Sequence, residues 1–111
     1  MKDTDTTLLK SNPSRVERCA DMLKVIAHPT RMTIVEMLYN EGDLSVTQVY
    51  EMLGIEQAVA SHHLAQLRNK GIISSQRDGK NVLYTLKIRK LYDVVNCVKC
   101  CSNDEIRSYA S

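Results

Sequence analysis

The sequence predicts a mainly α domain closed by one small β-hairpin, in the order α-α-α-α-β-β-α. Three observations carry that expectation. Apolar residues recur at helical spacing through most of residues 13–70, the period shortens between Ile72 and Leu86 around an Asp78-Gly79 pair, and helical spacing resumes after Arg89. At 111 residues and 43% hydrophobic composition, the chain has material for one modest core. The expected boundaries are a flexible arm over residues 1–13, where MKDTDTTLLKSNP has no hydrophobic pattern, a folded domain over 14–104 and a C-terminal tail over 105–111.

Between Pro13 and Ala27 the apolar positions Val16, Cys19, Ala20, Leu23, Ile26 and Ala27 draw one stripe, which predicts a first helix with a buried face. His28-Pro29 interrupts it, because a proline disfavours helical geometry in the residue before it. Pro29 then opens a second helix to about Asn40, ended by Gly42. Ser45 and Gln48 form a capping box at the head of a short third helix, SVTQVYEML, which stops at Gly54. A fourth helix runs from about Glu56 to Lys70, with Val59, His63, Leu64 and Leu67 as its expected core stripe. Two β-favouring runs, Ile72 to Arg77 and Val82 to Leu86, flank the tight-turn signal. A closing helix from about Arg89 to Cys101 carries Leu91, Val94, Val98 and Cys101 on one side.

The net charge of +2 hides an asymmetry: residues 57–90 hold seven Lys or Arg against one acid, Asp78, while the rest of the chain is net acidic. A basic third on an acidic remainder suits a polyanionic partner. The third and fourth helices, joined by Gly-Ile-Glu, form a helix-turn-helix candidate. On the fourth helix Ala58, Ser61, His62, Ala65, Arg68 and Asn69 lie opposite the apolar stripe. Small residues permit close approach to a major groove, and Gln57, Ser61 and His62 supply hydrogen-bonding groups near the helix N-terminus. The hairpin tip offers Arg77 and Lys80 to flanking phosphates, contacts that position a protein without specifying sequence. The candidate DNA-binding residues are therefore Gln57, Ala58, Ser61, His62, Arg68, Arg77 and Lys80, on a winged helix-turn-helix.

HPTRMTIVEML, SVTQVYEMLGIEQAVASHHLAQLRNKGII and RDGKNVLYTL together resemble the ArsR/SmtB family of winged-helix transcriptional repressors over about residues 15–95, most closely at Gln57 to Leu64. The resemblance implies a homodimer built through the first and last helices. It also implies binding to an inverted repeat of double-stranded operator DNA, and release when an inducer binds. In metal-sensing members one site uses paired cysteines at the start of the third helix, and the corresponding positions here look like Ser45 and Thr47. A second site uses Asp and His early in the last helix with His and Glu later. Those positions resemble Ile88 and Lys90, then fall near Cys101 and Asp104. Neither site retains its ligands. Redox-sensing relatives with a cysteine on the second helix are not matched, since Thr30 to Asn40 has none.

What stands in the last helix is Cys97-Val98-Lys99-Cys100-Cys101, whose thiols share one helical arc at i, i+3 and i+4. Neighbours on such an arc have Cβ atoms roughly 5–6 Å apart, so rotamer adjustment brings three sulfurs toward one soft ion. Trivalent arsenic or antimony suits three thiolates. Zinc wants a fourth ligand, with Cys19, Asp104 or a residue of a second subunit as candidates. The resemblance implies that Cys19, on the first helix, lies near the last. Two other readings stay open: a reversible disulfide in a redox or sulfur-species sensor, or cysteines that serve only as small hydrophobes.

His62 and His63, being adjacent, point apart on a helix; His63 falls on the apolar stripe as a hydrogen-bonded core residue, and His28 beside Pro29 reads as a helix-start residue. The five tyrosines form no basic-aromatic surface for single strands. No Gly-rich phosphate loop, nucleophile elbow or spaced carboxylate pair appears, so no enzyme and no required cofactor are expected. A winged-helix protein-interaction module is the alternative of a different class. No apolar run approaches the length of a membrane span, and a cytoplasmic protein is expected.

Overall fold

Helical spacing and its punctuation translate into five helices and three short strands in the computed structural model, which describes the backbone of residues 13–110 and the side chains of 15–101. The order is α1 (Pro13–Ile26), α2 (Pro29–Glu41), β1 (Leu44–Ser45), α3 (Val46–Leu53), α4 (Gln57–Asn69), β2 (Ile73–Asp78), β3 (Asn81–Leu86) and α5 (Lys90–Ala110). The expected arm thus lies outside the described residues up to the start of α1, whereas α5 continues through most of the expected tail.

His28 caps α2: it is extended at φ −152°, and its Nδ1 accepts the Thr30 N–H at 3.1 Å. The capping box on α3 is reciprocal, since the Gln48 N–H donates to Ser45 Oγ (3.2 Å) and the Ser45 N–H to Gln48 Oε1 (2.9 Å). Gly54 ends α3 at φ 68°, and the Ile55 N–H reaches back to the Tyr50 carbonyl at 3.1 Å. A left-handed residue here turns the chain into α4 after three residues, and the missing Cβ makes that turn inexpensive.

The hairpin pairs Ile73 with Leu86 at its root and Asp78 with Asn81 at its tip, leaving Gly79 and Lys80 as a two-residue turn. Gly79 has φ 65° and among the described residues no non-glycine residue does likewise, the pattern of a type II′ turn. β1 was not expected from sequence. Its two residues pair with β3, Leu44 opposite Tyr84 and Ser45 opposite Leu83, so the cap of α3 is also sewn to the hairpin.

The core gathers Ile34, Val35 and Leu38 of α2, Val49 of α3, Ala60, Leu64 and Leu67 of α4, Ile72 and Ile73, and Leu91 and Val95 of α5. Three expected stripes need correction. On α4, Ala60 is buried and Val59 is 42% exposed, because Ala60 precedes His63, Leu64 and Leu67 by three, four and seven residues and so shares their arc, whereas Val59 falls at its edge. On α5 the buried pair is Leu91 and Val95, while Val94 and Val98 face outward. On α1 only the last turn, Val25 and Ile26, is buried; Val16 and Leu23 are 59% and 45% exposed. Tyr39 of α2 stacks on Tyr92 of α5 with ring centroids 3.9 Å apart, and the Arg89 guanidinium lies 4.6 Å above Tyr39, which pins the root of α5.

Leu67 is fully buried, so Leu67→Ala should cost about 2–5 kcal/mol in chemical denaturation. Gly54→Ala should cost about 1–2 kcal/mol through backbone strain at positive φ, a difference the same denaturation curves resolve.

Candidate DNA-binding surface

The two faces of α4 have opposite characters. Ala60, His63, Leu64 and Leu67 are buried, whereas Gln57, Ala58, Ser61 and His62 stand exposed on its first two turns. Arg68 is also exposed, but about 16 Å along the axis from Gln57 at roughly 1.5 Å per residue, at the C-terminal end of the helix. Ala65, expected on the open face, is half-buried. Only Ile73 and Leu86 at the hairpin root are buried. The strands therefore project as a wing, with Arg77 on β2 and Lys80 in the turn both exposed. A helix with a small, polar, open N-terminal face beside a basic wing offers base-edge donors and acceptors at the helix and phosphate ligands at the loop.

Behind that surface is a network that the sequence pattern did not reveal. His63 is the one buried polar residue among those described, and its Nδ1 accepts from Arg31 Nε at 3.1 Å. The same guanidinium donates to the Val25 carbonyl at 3.3 Å, so Arg31 joins α1, α2 and α4. The His28 ring lies 4.7 Å from that of His63, tilted by 51°. Burial first, then the neighbouring charges of His28, Arg31 and His62, hold His63 below its ordinary pKa of 6.5. His63 fulfils its expectation as a hydrogen-bonded core histidine; its partner, 32 positions away, carries no periodicity signal.

Cys19, Cys97, Cys100 and Cys101 are all exposed and none is in a disulfide. Among the described residues no three His, Cys, Asp or Glu side chains converge as an ion-holding group, and the Asp104 side chain lies outside them. Lys99, between the thiols in sequence, pairs with Glu36 of α2, and this hydrogen bond and the carboxylate's charge raise the Lys99 pKa. Beside the cluster an apolar groove of about 240 Å³ opens between Leu23 and Ile26 of α1, Met32 of α2 and Val94 and Val98 of α5. No helix among the described residues is long and apolar enough to cross a membrane.

A helix-turn-helix whose second helix bares a polar face, flanked by a basic β-wing, defines a winged-helix DNA-binding transcriptional regulator. Residues 28–75 match the model for bacterial regulatory proteins of the arsR family. The transcriptional regulator YgaV of Escherichia coli is 31% identical over 93 residues, covering 84% of this chain and 94% of that protein. The crystal structure of the transcriptional repressor PagR of Bacillus anthracis superposes with a TM-score of 0.69 at 32% identity, covering 77% of this chain and 97% of PagR. A cadmium resistance regulatory protein, the CadC homolog of Staphylococcus aureus, is 39% identical over 79 residues, 71% of this chain and 63% of its own. The chain belongs to the ArsR family: it is a DNA-binding transcriptional repressor and not an enzyme.

The lowered pKa of His63 makes folding proton-linked. Above pH 6.5 the imidazole is neutral whether the chain is folded or unfolded, and no differential arises. As the pH falls through 6.5 the unfolded chain takes up a proton that the folded one resists, so stability declines until the folded pKa is passed. Denaturation curves across this range should show that decline in the parent and a smaller one in His63→Gln.

Proposed function

We propose that the chain works as a homodimer that lays α4 of each subunit into successive major grooves of an inverted-repeat operator, and lets go when a thiophilic ion binds Cys97, Cys100 and Cys101. The open N-terminal face of α4 carries the first part of this reading. Ala58 and Ser61 leave room for the groove wall, Gln57, Ser61 and His62 reach base edges or phosphates, and Arg77, Lys80 and Arg68 bind flanking phosphates. Dimerisation is supported by the apolar side chains of α1 and α5 that the monomer leaves in water. Val16, Leu23, Val94 and Val98 are each more than two-fifths exposed, and Leu23, Val94 and Val98 line the groove between those helices. A second copy covering that stripe brings two recognition helices into the fixed spacing that an inverted repeat requires.

The thiols sit on the same helix that would form the dimer contact. In the single chain they are not gathered. Ligation of As(III) or Sb(III) must therefore draw Cys97, Cys100 and Cys101 together. Ligation of Zn(II) must add a donor such as Cys19 or a thiol of the second subunit. Either rearrangement loads α5 and so favours a dimer geometry that fits the operator less well. A coupling of about 1–3 kcal/mol changes operator affinity about 5- to 150-fold. The cadmium resistance regulator among the relatives lends this reading support. Exposure of all four thiols outside any disulfide favours thiol oxidation as the second reading.

Fluorescence anisotropy on an inverted-repeat duplex tests both halves. Affinity should fall steeply with salt, and Arg77→Ala and Lys80→Ala should each flatten the log–log slope by about one; no salt-sensitive duplex binding at all would leave only an interaction module. Arsenite should release the parent but not the variant with Cys97, Cys100 and Cys101 all changed to Ser. Release by an oxidant alone would favour the redox reading, and a triple variant that responds to every agent would end the thiol hypothesis.

A further inference from the structure

We propose that Arg31 and His63 form the positioning pair of the recognition helix, and that operator binding requires His63 to be unprotonated, so that acidification loosens the protein from DNA. The inference rests on α4 as the DNA-reading helix.

The geometry leaves the imidazole one role. Arg31 Nε is a permanent donor, and its only hydrogen-bond relation to His63 is through an Nδ1 lone pair 3.1 Å away. His28 Nδ1 is likewise committed, to the Thr30 N–H. Both neutral rings therefore carry their proton on Nε2, as their donors dictate. A proton arriving on His63 Nδ1 turns the acceptor into a donor facing a donor, and sets a positive charge against a guanidinium. The groups acting on His63 are cationic or cation-forming: Arg31 and His28 from the head of α2, and His62 from its own helix, while α1 contributes the Val25 carbonyl, already engaged by Arg31. The lowered pKa agrees with that setting. A metal in place of the proton meets the same obstacle, since ligation through Nε2 would force hydrogen onto Nδ1.

The consequence is local to the reading surface. His63 is followed on the inner face by Leu64 and preceded on the open face by Ser61 and His62. Swinging the ring out, or shifting α4 to part it from Arg31, displaces Ser61 and His62 relative to base edges that they must meet within about 3 Å. His62 itself acts with the opposite sign. It is exposed, and phosphates favour its charged form, so its protonation alone would strengthen binding in acid. The two histidines are thus separable by the direction of the pH effect.

Operator affinity of the full-length parent, His63→Gln and His62→Gln is measured at fixed ionic strength from about pH 7.5 to about pH 5.5. The parent should lose affinity progressively toward about pH 5.5, by less than about tenfold, the ceiling for one linked proton whose pKa in the free protein lies below 6.5. His63→Gln, whose amide oxygen still accepts from Arg31 but takes no proton, should lose the acid dependence, and His62→Gln should keep or steepen it. A parent whose affinity is flat or rises in acid overturns the proposal, as does a His63→Gln variant that falls like the parent. Should His63→Gln not fold, NMR titration of His63 in the parent decides: its pKa must be lower in the operator complex than in the free protein, and an equal or higher value refutes the linkage. A parent that binds no duplex even at neutral pH removes the DNA-reading role of α4 itself, a failure distinct from any of these.

Discussion

The structure depends on seating one side of α4 while keeping the other side bare. Ala60, His63, Leu64 and Leu67 are held against α2, α3 and the hairpin root, with three of the four contributing only apolar surface. Burying such side chains is worth roughly 1.5–3 kcal/mol each for the leucines, enough to fix a helix whose outer face receives no help from packing. Because dispersion and burial are non-directional, they fix how deep α4 sits better than how it is rotated. The hydrogen bond from Arg31 to His63 supplies direction, and Arg31 in turn is tied to the last turn of α1 through Val25. A polar bond within the core is costly unless satisfied, and satisfied it selects one orientation.

The wing answers to the same frame. Ile73 and Leu86 anchor its root in the core, and β1 binds β3 directly beside the cap of α3. The helix that precedes the recognition helix and the strand that carries the wing therefore share backbone hydrogen bonds through Ser45. Beyond that root β2 is exposed along its length, and the turn at Gly79 and Lys80 and the side chain of Arg77 lie open to water, which suits a loop whose role is to meet phosphate rather than to read bases.

At the opposite side, α1 and α5 leave apolar side chains unburied. Val16, Leu23, Val94 and Val98 fit poorly with an isolated domain of this size but well with an assembly that covers them. Cys97, Cys100 and Cys101 lie on α5, whose Lys99 pairs with Glu36 of α2, and α2 in turn reaches α4 through the bond from Arg31 to His63.

The sequence by itself determined the elements and their ends: proline after His28, the Ser45–Gln48 box, Gly54 and the Asp78-Gly79 turn act within a few residues, and local stereochemistry reads directly from local sequence. It also determined which residues of α4 are open, Gln57, Ser61 and His62 among them, because a helix period carries that information. The tertiary structure alone decided whatever depends on distant partners. Val59 yielded its core position to Ala60, α5 turned Val95 inward in place of Val94, and the α1 stripe proved mostly unburied, since a stripe records that a face is apolar and not which neighbour, within the chain or in a second copy, will cover it. The two-residue strand at Leu44 and the bond between Arg31 and His63 join residues 32 or more positions apart. No periodicity announces such pairs, because they exist only once packing has brought the helices together.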